Sequence, residues 1–138
     1  KPDAPNGTAL VSDVPALSRA VKEADALRKQ FLPYFVDGVF LGNSVLSEPA
    51  PIHVAAHQLG GRLLIIALND QPKVVATKLK TNLSLWLPRA RFYSVKRYGS
   101  DGRLVSTSRW TTDTERAGHA IRLWPLEMAF FEIWEGKQ

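Results

Sequence analysis

The sequence contains no cysteine. That excludes disulfide scaffolds, zinc ribbons, iron–sulfur sites and cysteine nucleophiles. It contains no long apolar run either. The longest, Leu63 to Leu68, falls far short of the ~20 residues a helix needs to cross a bilayer, so no membrane partner is expected. No serine sits in a Gly-x-Ser-x-Gly elbow, and Gly38, Gly42, Gly60 and Gly61 match neither a phosphate loop nor a dinucleotide fingerprint. No cofactor is therefore implied. No signal peptide is visible, and the chain begins at Lys1 rather than Met, which reads as a processed or cut piece. Internal repeats and βαβ alternation are both missing, which argues against a parallel sheet.

What remains is a chain of 138 residues with 45% hydrophobic residues, enough for one domain with its own core. The net charge of +5 is unevenly placed. Eight bases (Arg89, Arg91, Lys96, Arg97, Arg103, Arg109, Arg116, Arg122) face only Asp101, Asp113 and Glu115 over residues 89–122, and the rest of the chain is neutral. Such a stretch attracts nucleic acid or another acidic polymer, or it is a solvated strand face.

The chain divides into an arm over 1–12, a helix and aromatic corner over 13–46, and a β-sandwich over 47–138. Ser12 or Asp13 caps the helix and Pro15 suits its first turn. Leu17, Val21, Ala24, Leu27, Phe31 and Phe35 then recur at three- and four-residue steps, predicting an amphipathic helix over 14–32. Pro33 is expected to end or kink it. Its apolar stripe needs a cover: the sandwich itself, a homodimer or a preceding catalytic domain. Beyond Pro51 the period shifts toward 2. Strands are predicted over 52–59, 62–68, 74–79, 92–98, 104–110, 119–123 and 126–134. Residues 83–88 read as irregular or a single helical turn, and 111–118 as polar and exposed. The class is mostly β: an antiparallel β-sandwich of about seven strands preceded by one amphipathic α-helix. Its expected core is Leu64, Ile66, Leu68, Val75, Val95, Ile121, Leu123, Phe130 and Ile133.

Chemistry-bearing constellations are sparse. His53 and His57 have a ligand spacing on a helix, but in a strand they lie about 13 Å apart, so no metal site is expected. Glu127 and Glu135 share a strand face at about 27 Å, too far for a glycosidase pair. No catalytic residue is assigned, and this chain by itself is not expected to be an enzyme. The aromatics are more informative. Trp124 and Trp134 have apolar neighbours and read as core. Trp86 and Trp110 border polar segments, and Tyr93 precedes the basic hairpin. These three are the candidate ligand-binding residues, able to stack on a sugar ring or a base if exposed.

Several segments resemble glycoside hydrolases. Leu27-Arg-Lys-Gln-Phe-Leu-Pro-Tyr-Phe-Val-Asp-Gly-Val-Phe-Leu-Gly42 is similar to the last helix and aromatic corner that close the catalytic barrel region. The strand Leu63 to Asn69, ending in Asn, the Tyr98-x-x-Asp-Gly hairpin, and Leu123-x-Pro-Leu-Glu before an apolar strand resemble the C-terminal β-sandwich of such enzymes. The resemblance covers about residues 27–134. It implies a non-catalytic accessory sandwich that buttresses a catalytic barrel and contacts carbohydrate. The barrel's carboxylates would lie outside this chain, since a barrel takes about 250 residues.

Overall fold

The computed structural model describes residues 25–136. The arm over 1–12 and the first part of the predicted helix lie outside them. Described residues begin with helix α1 (Asp25–Asp37) and continue through eight strands: β1 (Val39–Gly42), β2 (His53–Leu59), β3 (Arg62–Leu68), β4 (Val75–Leu79), β5 (Tyr93–Tyr98), β6 (Leu104–Trp110), β7 (His119–Leu123) and β8 (Met128–Glu135). A single 3₁₀ turn covers Leu83–Leu85, and a six-residue helix α2 covers Thr112–Ala117. The strands form a six-stranded antiparallel sheet, β1-β2-β3-β8-β5-β6, and a two-stranded antiparallel sheet, β4-β7. The predicted mostly-β class with a leading helix is the observed one.

The large sheet has two faces and a different cover on each. Leu63, Ile65 and Ala67 of β3 point one way, with Val54, Val95, Phe131 and Ile133, against Val75, Leu79, Ile121 and Leu123 of the small sheet. Leu64 and Ile66 point the other way, with Ala55 and Phe130, against Leu27, Phe31 and Tyr34 of α1. The unbroken apolar run of β3 is therefore the signature of a strand buried on both faces. Phe31 stacks on Phe130 at 5.0 Å between ring centroids and meets Tyr98 edge-on at 5.5 Å. All of the expected core residues are buried except Leu68, which is half-buried at the end of its strand.

Three expectations need correction. Pro33 does not end α1, which runs on to Asp37. An internal proline costs a helix ~3 kcal/mol, and tertiary anchoring just beyond it offsets that. Tyr34 is buried and its hydroxyl donates to Glu132 Oε2 at 2.6 Å. Gly38 is the stop: its N–H donates to the Tyr34 carbonyl at 3.1 Å. A Cβ there would strike that carbonyl oxygen and lie 2.9 Å from the Gln58 carbonyl oxygen. Second, the aromatic corner contains an edge strand, β1, paired to β2 with a register shift between Phe40 and Gly42. Third, the segment after β6 is not simply polar and exposed. Thr111 and Thr114 form a capping box that starts α2, and α2 carries the buried Glu115. The described part of the helical stripe is covered by the sheet itself, against β2, β3 and β8, the first of the covers expected for it.

Candidate functional site

A concavity of about 650 Å³ opens at one end of the two sheets. Backbone pairing builds its floor. Leu46 bridges to Thr81, the Ser47 N–H donates to the Lys80 carbonyl at 2.8 Å, and the Asn82 N–H donates to the Val45 carbonyl at 3.1 Å. One wall is the loop before β5. The Tyr93 hydroxyl donates to the Pro88 carbonyl at 2.8 Å, which pins the loop that carries Arg89 and Arg91. The opposite wall is α2, which contributes Thr112, Glu115 and Arg116. Ser84 and Asn82 complete the rim.

Glu115 is the anchor of this end. It is 8% exposed, and its Oε1 accepts from the Thr81 hydroxyl at 3.1 Å and from the Leu83 N–H at 2.8 Å. It thereby satisfies an amide that the 3₁₀ turn leaves without a backbone partner. Burial, reinforced by the Glu115 charge, raises the Tyr93 phenol above its ordinary range, so Tyr93 remains a neutral donor. Arg89, Arg91 and Arg116 are exposed at the rim. Arg116 lies 3.6 Å from Asp113. Arg89 and Arg91 have no carboxylate within ion-pair distance among the described residues.

The three candidate ligand-binding residues come out differently from one another. Tyr93 lines the concavity, but its ring is 2% exposed. Trp110 was expected to be exposed and is 5% exposed instead. As the last residue of β6 it turns inward and stacks on His119, with ring centroids 3.5 Å apart. Burial lowers the His119 pKa to about 4. Trp86 is half-buried against the core, its carbonyl accepting from Gln58 Nε2 at 2.7 Å. Tyr93 and Trp110 are thus buried, and Trp86 keeps part of its surface exposed. Conversely, Trp124 is 62% exposed rather than core. Trp134 is half-buried, with the Arg62 guanidinium and the Lys96 ammonium 5.5 and 5.6 Å from its ring centroid.

Nor do the eight bases form one surface. Arg89, Arg91 and Arg116 rim the concavity. Lys96 and Arg109 line a shallow groove beside Trp134, on the half of the sheet that α1 leaves open. Arg97 and Arg122 border a third depression with Lys78. Arg103 stays at the β5–β6 hairpin, 3.7 Å from Asp101. Other acids are engaged locally. Glu132 accepts from both Tyr34 and Tyr98, and Asp70 meets His53 at 2.5 Å. Among the described residues no three histidine or acidic side chains gather as a cation site. Sequence reasoning missed Glu115. The acids Asp113 and Glu115 after two threonines were the available signal for a helix start, weakened because Thr114 stands where a capping box usually has Glu or Gln.

These features define a two-layer β domain with a donor-rich pocket at one end. No family model matches the chain, and no curated protein matches its sequence. Solved structures do match. The chain is similar to an α-amylase from Geobacillus thermoleovorans, determined in complex with acarbose, with a TM-score of 0.51 and 21% identity. That match covers 82% of this chain and 23% of the amylase. A family 30 endoxylanase from Clostridium papyrosolvens matches with a TM-score of 0.45 and 14% identity over 66% of this chain and 22% of that one. A family 30 xylanase from Clostridium acetobutylicum matches with a TM-score of 0.38 and 14% identity over 62% and 21%. The chain thus spans less than a quarter of the length of each enzyme it matches, and its fold resembles a part of the amylase chain.

Proposed function

We propose that the chain is a non-catalytic accessory β domain of a larger carbohydrate-active enzyme, where it buttresses the catalytic domain and contacts glycan at the end pocket. The observation that carries this reading is the state of Glu115. Among the described residues the pocket is lined by one carboxylate, tied by Oε1 to Thr81 and Leu83, together with hydrogen-bond donors, which is no acid–base pair. Hydrolysis of a glycoside needs two carboxyl groups about 5–10 Å apart across the scissile bond. Side-chain hydroxyls and the Asn82 amide suffice to hold a neutral sugar.

The buttressing role rests on the α1–β1 corner. Val36, Val39 and Phe40 are all exposed there, forming an apolar surface that the rest of a larger enzyme would cover. Two measurements test the reading. The purified chain should turn over no glycoside. In amide NMR spectra, neutral oligosaccharides should shift Ser47, Asn82, Ser84 and Thr112. Turnover would end the non-catalytic reading, and spectra indifferent to every sugar would leave only the buttress.

A further inference from the structure

Three arginines converge on a pocket whose single carboxylate is already bound. From this the geometry points to an anionic sugar as the ligand: the end pocket takes a uronate residue of an acidic glycan, its carboxylate held by Arg89 and Arg91. This rests on the glycan reading above and narrows it to a substrate class.

The charge balance favours an anion. Arg116 is paired with Asp113, which leaves Arg89 and Arg91 beside Glu115, whose Oε1 is turned to Thr81 and Leu83. Arg89 and Arg91 are one residue apart on a loop held at one end by the Tyr93–Pro88 hydrogen bond. Neither spends its charge on a carboxylate among the described residues. A guanidinium presents paired N–H groups that match the two oxygens of a carboxylate, and such charge-assisted bonds are about twice as strong as neutral ones. The remaining rim suits the hydroxyls of a ring: Ser84 and Thr112 both donate and accept, and the Asn82 amide does the same. The volume of about 650 Å³ lies within the range of small-molecule sites.

A nucleic acid would also present anions, but the rest of the surface suits it less. Single-strand binders combine a basic track with aromatic rings on which bases stack. Here Tyr93 and Trp110 are buried. The bases of the 89–122 stretch are divided among three separate depressions and a hairpin, so they make no continuous track. A concave site with two arginines free of ion pairs among the described residues, and neutral donors beside them, fits one charged ring better than a backbone of regularly spaced phosphates.

The test is calorimetric titration of the whole chain with trigalacturonate, maltotriose and a single-stranded oligonucleotide, each at low and high salt. An Arg89→Ala/Arg91→Ala double variant is titrated alongside. Both side chains are exposed, so the variant should keep the parent's urea midpoint. Trigalacturonate should bind more tightly than maltotriose and weaken as salt rises. The double variant should lose about tenfold or more of that affinity while binding maltotriose as the parent does. If trigalacturonate binds no better than maltotriose, or if the double variant binds it equally well, the anionic assignment falls while the glycan reading stands on the maltotriose result. If no sugar binds, both fall together. An oligonucleotide that binds more tightly than trigalacturonate, through the same two arginines, overturns the proposal in favour of nucleic acid.

Discussion

Replacing Glu115 separates the role of its hydrogen bonds from the role of its charge. Glu115→Ala strands the Leu83 N–H, which is fully buried, and the Thr81 hydroxyl, which is 6% exposed. Hydrogen bonds to a charged group are worth about 1.5–3 kcal/mol each, and a stranded buried donor also costs its desolvation. The two bonds share one oxygen and are not additive, so a loss of about 3 kcal/mol is expected. With a urea slope of about 1–3 kcal/mol per molar, the midpoint should fall by about 1–3 M. Glu115→Gln keeps an acceptor oxygen in the same place. It should cost about 1 kcal/mol or less, and it removes the pocket's one negative charge. Trigalacturonate should then bind more tightly to the Gln variant than to the parent. An Ala variant with an unchanged midpoint, or a Gln variant as unstable as the Ala variant, would refute the placement of this carboxylate.

Other substitutions read other parts of the fold. Ile66→Ala, beneath α1, should cost about 2–5 kcal/mol, and hydrogen exchange should rise in α1 before the β4–β7 pair; a midpoint matching the parent's would mean the β3 register is wrong. Gly38→Ala places a methyl group against two backbone oxygens and should cost about 1–3 kcal/mol in thermal melts, whereas Gly61→Ala, with open space around it, should be close to neutral. His119 has a folded pKa of about 4 against 6.5 when unfolded. Its contribution to stability is therefore complete above pH ~6.5 and is lost as the pH falls through ~4, amounting to on the order of 1–2 kcal/mol once partial solvent screening is discounted. Comparison of urea midpoints across that range with those of His119→Phe, which cannot titrate, isolates the effect; parallel curves would refute it.

The parts of the fold legible in the sequence are those where burial sets the pattern. The apolar run of β3 announced two covered faces, and the paired glycines at 60 and 61 and the Asp101-Gly102 step announced the hairpins on either side of the central strands. Gly60 and Gly102 do adopt positive φ, at 56° and 82°. The layer to which each side chain belongs was not legible. Leu64 and Ile65 are equally apolar, yet one meets α1 and the other the small sheet. Short elements fixed by distant partners were also hidden. β1 is four residues long on a sheet edge, and α2 is six residues long with an off-pattern capping box. Neighbour composition is a poor guide to the tryptophans, because strand period decides which face each one takes. Ile121 and Leu123 point inward, so Trp124 falls on the outward beat whatever its neighbours are. Trp110 lies among exposed residues of an edge strand, but it is the residue at which that strand turns into the domain. The pocket's arginines were visible as charge, and only folding determines which three of the eight meet.

Two of the motifs that carry the resemblance to glycoside hydrolase sandwiches are one physical unit. Asn69 directly follows β3, and Leu123-Trp-Pro-Leu-Glu127 joins β7 to β8. The Asn69 amide nitrogen donates to the carbonyls of Lys73 at 2.8 Å and Leu123 at 3.0 Å, while its Oδ1 accepts the Gln71 N–H at 2.9 Å. Its backbone accepts from the Leu126 N–H at 2.7 Å and donates to the Glu127 carbonyl at 3.1 Å. Glu127 closes the turn by accepting the Trp124 N–H at 2.8 Å. These bonds hold Leu126 at φ 64°, a conformation that costs a side-chain-bearing residue about 1–2 kcal/mol. The strain persists because the surrounding bonds over-determine it. The Asn at the end of one strand and the Glu at the start of another therefore serve the fold by fixing how β7 crosses to β8 over the end of β3. Their side-chain hydrogen bonds are spent within the fold, so the likeness they express is one of architecture. On the glycan reading proposed above, specificity falls to residues of the opposite kind: the loosely patterned loop and short helix that bring Arg89, Arg91 and Arg116 together.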